Sequence, residues 1–435
     1  MAATGIHPGI ASPPAPRPWT DARRARWRSR AIEAVLVLGI GYNFVLALVN
    51  ANVFAVGPAV TYAIEFAVYA ACFVLGLWSL DRRRAALVVG GLGFVVALAW
   101  LRSLASGQID PKFLRDALIA FAFLVLGAGY RGSLPRLCLG LALLVAMVAA
   151  FELAAPQAYG EVVNPKSYFV NARGASAAGF WNQDSNLYVS ATRPDARNFL
   201  PSSQLPRASS IFVEPVTMGN FIIFFAATVL AFRRHLGLPA QALAAALVVF
   251  LVLASDGRLA AGTCLLMLVL APLFRRLDQR LAFAVFGVVL FAGAGLVAVA
   301  GVEAFDDTLL GRVFFSVDSI RGLSFQEWMG LDPGSAYRYF DSGIAYFIGS
   351  QSLPGVLAFL LAYSFLLVLP GREGRLFKHL AIFAFALSLL VSNGYFSIKT
   401  AALWWFVCGV LWQAGARLQP AGPAHRVPAA AESAR

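Results

Sequence analysis

Residues 58–101 read PAVTYAIEFAVYAACFVLGLWSLDRRRAALVVGGLGFVVALAWL. Two apolar runs, 58–80 and 85–101, flank a charged break, DRRR at 81–84. A helix needs roughly 20 mostly apolar residues to cross about 30 Å of hydrocarbon, and a basic hinge between two such runs suits a chain that crosses and returns. Outward from this stretch the pattern repeats, with runs at 31–49, 114–130, 137–155, 211–232, 239–254, 259–274, 281–301, 352–369, 379–391 and 401–416. Of 435 residues 59% are hydrophobic and 13% charged, too apolar for one water-soluble core, so the bilayer is the solvent. An open sheet would leave its backbone unsatisfied in lipid. The fold class expected is all-α, a polytopic transmembrane helical bundle of about twelve spans.

The formal charge of +13 would point to nucleic acid in a soluble protein, but here the basic residues cluster between spans, where they set topology. No nucleic-acid partner is expected. Cys72, Cys138, Cys264 and Cys408 all lie inside apolar runs, without metal-ligand spacing, so neither a disulfide nor a zinc framework is implied. Residues 1–30 form a Pro- and Arg-rich segment, expected as a disordered cytoplasmic tail. The first apolar run begins at Ala31, too late for an ordinary signal peptide, and reads as a signal anchor. The membrane domain then covers 31–416 and a second cytoplasmic tail 417–435.

With the N-terminus in the cytoplasm, 22 of the 35 Lys and Arg fall on that side, which fixes the orientation and places both termini there. Two long loops, about 156–210 and 302–351, then share the opposite face. The Ala/Arg-rich composition points to a Gram-negative bacterium, making that face the periplasm and the membrane the inner one. The loops hold most of the polar non-basic sequence. In DSGIAYFIGSQSLPG, 341–355, a short helix stops at Gly349 and Pro354 before the tenth span, a break tolerated at membrane depth where it lines a cavity.

RASSIFVEPVTMGNF opens the sixth span. Arg207 and Glu214 are seven apart, so a helix that starts early puts them on one face. Glu214 then sits at the outer rim of the bilayer, where an ionisable group is paired or functional, and a plain Arg207–Glu214 structural pair is the alternative. ASDGRLAAG places Arg258 beside Asp256, and AYRYFDSG sets Arg338 three residues before Asp341, again one helical face, with Tyr337 and Tyr339 adjacent. Each arginine alone could snorkel to headgroups; three converging would form a site for a diphosphate, because guanidinium forks bind phosphate bidentately and stay charged. GFWNQDSNLY offers Trp181, Asn182 and Asp184, and SFQEWMG offers Trp328, flat faces and polar groups that with Tyr337 suit a sugar ring; an interfacial aromatic belt is the alternative. His7, His235, His379 and His425 all fall on the cytoplasmic side, which leaves Glu214 and Asp341 as the best-placed catalytic proton acceptors on the other. Glu65 and Asn43 are polar outliers within spans, expected to bond neighbouring helices.

RASSIFVEP entering a span after a long outer loop, the SDGR turn with Arg258, and YRYFDSG before a Gly/Pro break resemble the Wzy-type polysaccharide polymerases. Those belong to a wider group of multi-span, GT-C-like glycosyltransferases that includes the O-antigen ligases. LALVNANVF at 46–54 and the overall layout are most similar to the polymerase of xanthan-type exopolysaccharide pathways. The resemblance implies transfer of a growing glycan from undecaprenyl diphosphate to a lipid-linked repeat unit, without a metal or other cofactor. It assigns pyrophosphate binding to Arg207, Arg258 and Arg338, and it implies membrane lipid, a flippase and chain-length or export proteins as partners. Related ligases use an outer-face histidine, which this chain lacks. The rivals are a ligase-like transferase, a transporter or flippase for lipid-linked oligosaccharide, and a non-catalytic glycan-binding component.

Overall fold

The computed structural model describes residues 18–194, 197–201, 203–339 and 341–418; most of both expected tails, with His7 and His425, lies outside the described residues. Helices Pro18–Asn52 (α1), Pro58–Gly76 (α2), Arg82–Ser106 (α3), Pro111–Gly129 (α4) and Leu134–Ala154 (α5) lead into the first long connection, which carries Pro156–Val163 (α6) and Pro165–Arg173 (α7). Pro215–Phe232 (α8), Leu238–Ser255 (α9), Arg258–Phe274 (α10) and Ala282–Ala300 (α11) lead into the second, which carries Leu309–Gly322 (α12) and Phe325–Trp328 (α13). Gly343–Leu361 (α14), Gly371–Leu389 (α15) and Ile398–Leu418 (α16) complete an all-helical bundle, with no strand among the described residues. A long helix stands at each of the twelve apolar runs, and eight of them are long and apolar enough to cross a membrane.

Proline sets many of the starts. Pro58, Pro111, Pro156, Pro165 and Pro215 occupy first turns, where a missing N–H costs nothing. Asp81 and Asp110 cap α3 and α4 by accepting from the Arg84 and Lys112 amides. Because the long helices alternate in direction, the ends of α1, α3, α5, α9, α11 and α15 and the starts of α2, α4, α8, α10, α14 and α16 gather at one end of the bundle. Both long connections emerge there, and it is called the loop face below.

Four boundaries depart from the sequence expectation. α1 is already helical from Pro18, within the segment expected as a disordered tail, and α15 starts at Gly371, eight residues ahead of its run. The sixth run does not become helical at Ile211. Residues Ser210–Phe212 make a single 3-10 turn, Val213 takes φ 63°, and Glu214 is extended before Pro215, as a residue preceding proline must be. Arg207 and Glu214 therefore share no helical face. The tenth run begins earlier, at Gly343, and the expected break falls inside α14 at Ser352, with φ 62° and ψ 159°. Pro354 cannot donate to the Ser350 carbonyl. Arg102, from the far end of α3, takes up that carbonyl together with those of Gly349 at 2.9 Å and Gly330 at 2.7 Å.

Packing places α8 and α16 centrally and α3 at the edge. In α8 78% of the apolar stretch is buried within the protein, in α3 only 6%. Lipid is as apolar as a leucine side chain, so small residues that let backbones approach, rather than hydrophobic burial, hold such helices together. A Cβ on Gly409 of α16 would stand 2.1 Å from the Leu124 carbonyl oxygen of α4, and one on Gly127 2.1 Å from the Phe406 oxygen. Gly409→Leu is expected to prevent this crossing and abolish recovery of monodisperse protein from detergent. Gly287→Leu, where a Cβ meets nothing within 4 Å, should leave the chromatographic profile unchanged.

Candidate functional site

Beneath the loop face lies a buried ionic network drawn from five elements. Glu65 is seven residues into α2, roughly 10 Å below its start at 1.5 Å per residue. It accepts from Arg115 of α4 at 2.9 Å, from Arg173 of α7 at 3.2 Å, and from the Tyr42 hydroxyl of α1. Arg115 also bonds Asp116 at 2.6 Å, and Asp116 accepts from Lys112 at 3.1 Å and from the Tyr346 hydroxyl of α14 at 2.6 Å. Arg173 reaches Asn43 at 3.0 Å, which also accepts from Tyr168 at 2.7 Å. Glu65 and Asn43 thus bond neighbouring helices, as expected of them.

A second ion pair, its lysine buried and its carboxylate half-buried, stands beside this network. Glu214, at the start of α8, accepts from Lys399 of α16 at 2.7 Å and from the Thr217 hydroxyl at 2.6 Å. Its carboxylate is thereby occupied, which makes it a poor proton acceptor until that ammonium moves. Lys399 and Arg173 escaped the sequence reading. The signal for Lys399 was a lone lysine opening an apolar run; the signal for Arg173 was hidden in a loop.

The segment that delivers Glu214 is a strained turn with many tethers. Ser210 and Val213 have φ values of 50° and 63°, unusual for residues with a Cβ, and for β-branched valine above all. Glu152, buried near the end of α5, accepts from the Ser209 and Ser210 amides at 2.7 and 2.6 Å. The Tyr159 hydroxyl donates to the Ser210 carbonyl at 2.7 Å, and the Ala208 amide to Ala254 at 2.9 Å. Held this way, Arg207 sits half-buried against α9, its Nε donating to the Ser255 carbonyl at 3.0 Å.

Arg207 is one of several arginines there. Burial pulls its pKa down to about 10; Asp256 opposes the fall, and Arg193, Arg258 and Arg197 deepen it. Asp307 pairs with Arg193 at 2.7 Å and Arg312 at 2.5 Å, its backbone carbonyl accepts from Arg258 at 3.4 Å, and Arg312 continues to Asp341 at 3.0 Å. Arg207 and Arg258 are therefore electrostatic neighbours. Asp256 holds the loop instead of a ligand, accepting from the Asn198 and Phe199 amides at 3.0 Å; against the effect of burial, these bonds keep its carboxyl below the ordinary range.

Arg338 stands apart from that group. It is exposed, with Glu327 at 2.9 Å, and ends a 3-10 turn, so it shares no helical face with Asp341, although three residues of chain join them. Tyr337 donates to Asp110 at 2.5 Å, lies against Phe113, and has the Lys112 ammonium 5.7 Å from its ring, which ties this stretch to the buried network. Trp181 is exposed; Asn182 caps the Asp184 amide at 3.0 Å, and Asp184 is itself exposed. Trp328 is half-buried against the core, and among the described residues no hydrogen bond, ion pair or ring contact joins it to the Trp181 stretch. Chemically, the loop face offers one local cluster of arginines, Arg193, Arg197, Arg207, Arg258 and Arg312, above a network of ion pairs.

Lys399→Met leaves the Glu214 carboxylate without its cation and is expected to cost about 3–5 kcal/mol. Lys399→Met with Glu214→Leu should recover most of that, as read by thermal unfolding in detergent. The folded pKa of Asp256 lies below its unfolded value, so its tether is complete above about pH 4 and is lost as the pH falls through the folded value. Hydrogen-exchange protection of the Asn198 and Phe199 amides should fall on acidification, and Asp256→Asn should lower it at neutral pH as well. No family model, no curated protein and no solved structure matches this chain.

Proposed function

We propose that this protein is a Wzy-type polysaccharide polymerase of a bacterial inner membrane, with all twelve long helices spanning, both termini in the cytoplasm and the loop face toward the periplasm. The reading rests on the resemblance of RASSIFVEP, SDGR and YRYFDSG. What supports it structurally is one observation: Arg207 and Arg258 lie in a cluster with Arg193, Arg197 and Arg312, and Asp341 links that cluster to the segment carrying Arg338.

The reaction fits that chemistry. An acceptor hydroxyl oxygen bonds to the anomeric carbon as the bond from that carbon to phosphate breaks, and the electron pair leaves with the lipid diphosphate. The guanidinium groups neutralise the charge that develops on the departing diphosphate. The hydroxyl proton passes to a carboxylate. Asp341 suits this role better than Glu214, because among the described residues it is bonded through Oδ1 alone and is half-exposed, whereas Glu214 is held by Lys399 and Thr217. Trp181, Asn182, Asp184, Trp328 and Tyr337 are sugar-contact positions in this scheme, and the energy comes from the glycosyl–diphosphate bond, with no nucleotide sugar.

One observation favours a second reading. The Glu65–Arg115–Arg173 network reaches into the bundle interior, where transporters concentrate charge, so a flippase for the same lipid-linked oligosaccharide is the alternative. A deletion strain separates the two: repeat units accumulating singly on the outer face indicate a polymerase, on the inner face a flippase. Finished but unattached chains indicate a ligase. For the polymerase, Arg207→Ala and Arg338→Ala are each expected to abolish polymer while the protein still inserts, and full-length polymer from both variants overturns the arginine mechanism.

A further inference from the structure

Below the ionic network lies a cavity of about 620 Å³ between α3, α4, α14 and α16. That is the size of a ligand pocket, about 300–1,000 Å³, yet its wall is almost wholly apolar, with Phe94, Ala120, Phe359 and Trp404 on its four sides. The one charged residue in its lining is Asp116, near the loop face.

Between its two tied ends α3 touches α4 where Gly91 faces Phe121 and α14 where Leu98 faces Gly355, and the cavity occupies the gap that these contacts leave. At one end Arg84 donates to the Trp412 carbonyl at 2.9 Å and covers the Trp412 ring at 5.2 Å; at the other Arg102 grips the broken turn of α14. The eighteen residues from one arginine to the other span about 27 Å at 1.5 Å per residue, close to the roughly 30 Å of a hydrocarbon core. Between the ties, a Cβ on Gly90 would meet nothing within 4 Å. Protein interiors pack as densely as organic crystals, so an apolar slot of this length facing lipid is filled by a chain.

We infer that the slot holds the prenyl chain of a polyprenyl diphosphate, with the diphosphate at its loop-face end; this rests on the polymerase reading and locates its substrate. Charge complementarity selects an anionic headgroup. Asp116, fully enclosed, is bridged to Lys112, and with Arg115 and Arg173 set against Glu65 and Asp116 the network above the slot has three cations for two carboxylates, one positive charge in excess. From there Tyr337 leads to Arg338.

The test is photolabelling of the purified protein in phosphatidylcholine nanodiscs with a polyprenyl diphosphate carrying a benzophenone at its chain end. Label is expected on α3 and α14, displaced by excess unlabelled polyprenyl diphosphate and not by an equal amount of phosphatidylglycerol. Gly90→Phe should lower it at least fivefold, and Val89→Phe, on the same helix but outside the slot, should not. Ala120→Phe, from the opposite wall, serves if Gly90→Phe is not recovered folded. Label spread over all lipid-facing helices, equal displacement by phosphatidylglycerol, or undiminished labelling of the slot variants overturns the inference. No sugar or turnover is needed. Slot labelling in a protein that makes no polymer therefore sinks the polymerase reading alone, and wild-type polymer from Gly90→Phe sinks the slot alone.

Discussion

Everything at the loop face depends on the need for buried charges to neutralise one another at short range. Glu65 is met by Arg115 of α4 and Arg173 of the first long connection and Glu214 by Lys399 of α16, whereas Asp116 is met by Lys112 and Arg115 of its own helix. The pairs that cross between elements therefore act as fasteners. Arg115 joins α4 to α2, Arg173 brings α7 down onto α1 and α2, and Lys399 joins α16 to α8. In lipid, where apolar contact alone gives helices no preference for each other over solvent, such specific bonds together with close glycine crossings fix the arrangement.

The same economy of partners explains the two distorted segments. The turn around Ser210 keeps two left-handed residues because Glu152 and Tyr159 bind its backbone from helices packed on either side. The break in α14 persists because Arg102 donates to the Gly349 and Ser350 carbonyls, the latter left without a helical donor by Pro354. Each distortion delivers something. The first places Arg207 in the arginine cluster and Glu214 beside Lys399; the second exposes the carbonyls by which Arg102 ties the loop-face end of α3 to α14, beside the apolar slot.

Polar outliers in an apolar sequence were informative as a class, and less so one by one. Asn43 and Glu65 could be named in advance because a polar atom in a span must find a partner. Arg115, Asp116 and Lys112 lie at the start of a run and look like ordinary boundary residues, and no spacing rule distinguishes a snorkelling lysine from one that caps a buried aspartate. The carboxylate of Glu152 at the end of the fifth run was unremarkable for the same reason, although it anchors the turn that the resemblance singles out.

By itself the sequence determined the apolar, all-helical character and the approximate places of twelve long helices, because run length, hydropathy and proline placement act within a few residues of chain. It also marked the break near Pro354 and the arginine-bearing loops. Only the tertiary structure decided that Arg207 and Arg258 share a field while Arg338 pairs with Glu327, and that Glu214 belongs to Lys399, 185 residues away, and not to Arg207. The cause is physical. Charge pairing in a low-dielectric interior is set by distances across helices, and those follow from how small residues allow backbones to cross, which one-dimensional spacing does not encode.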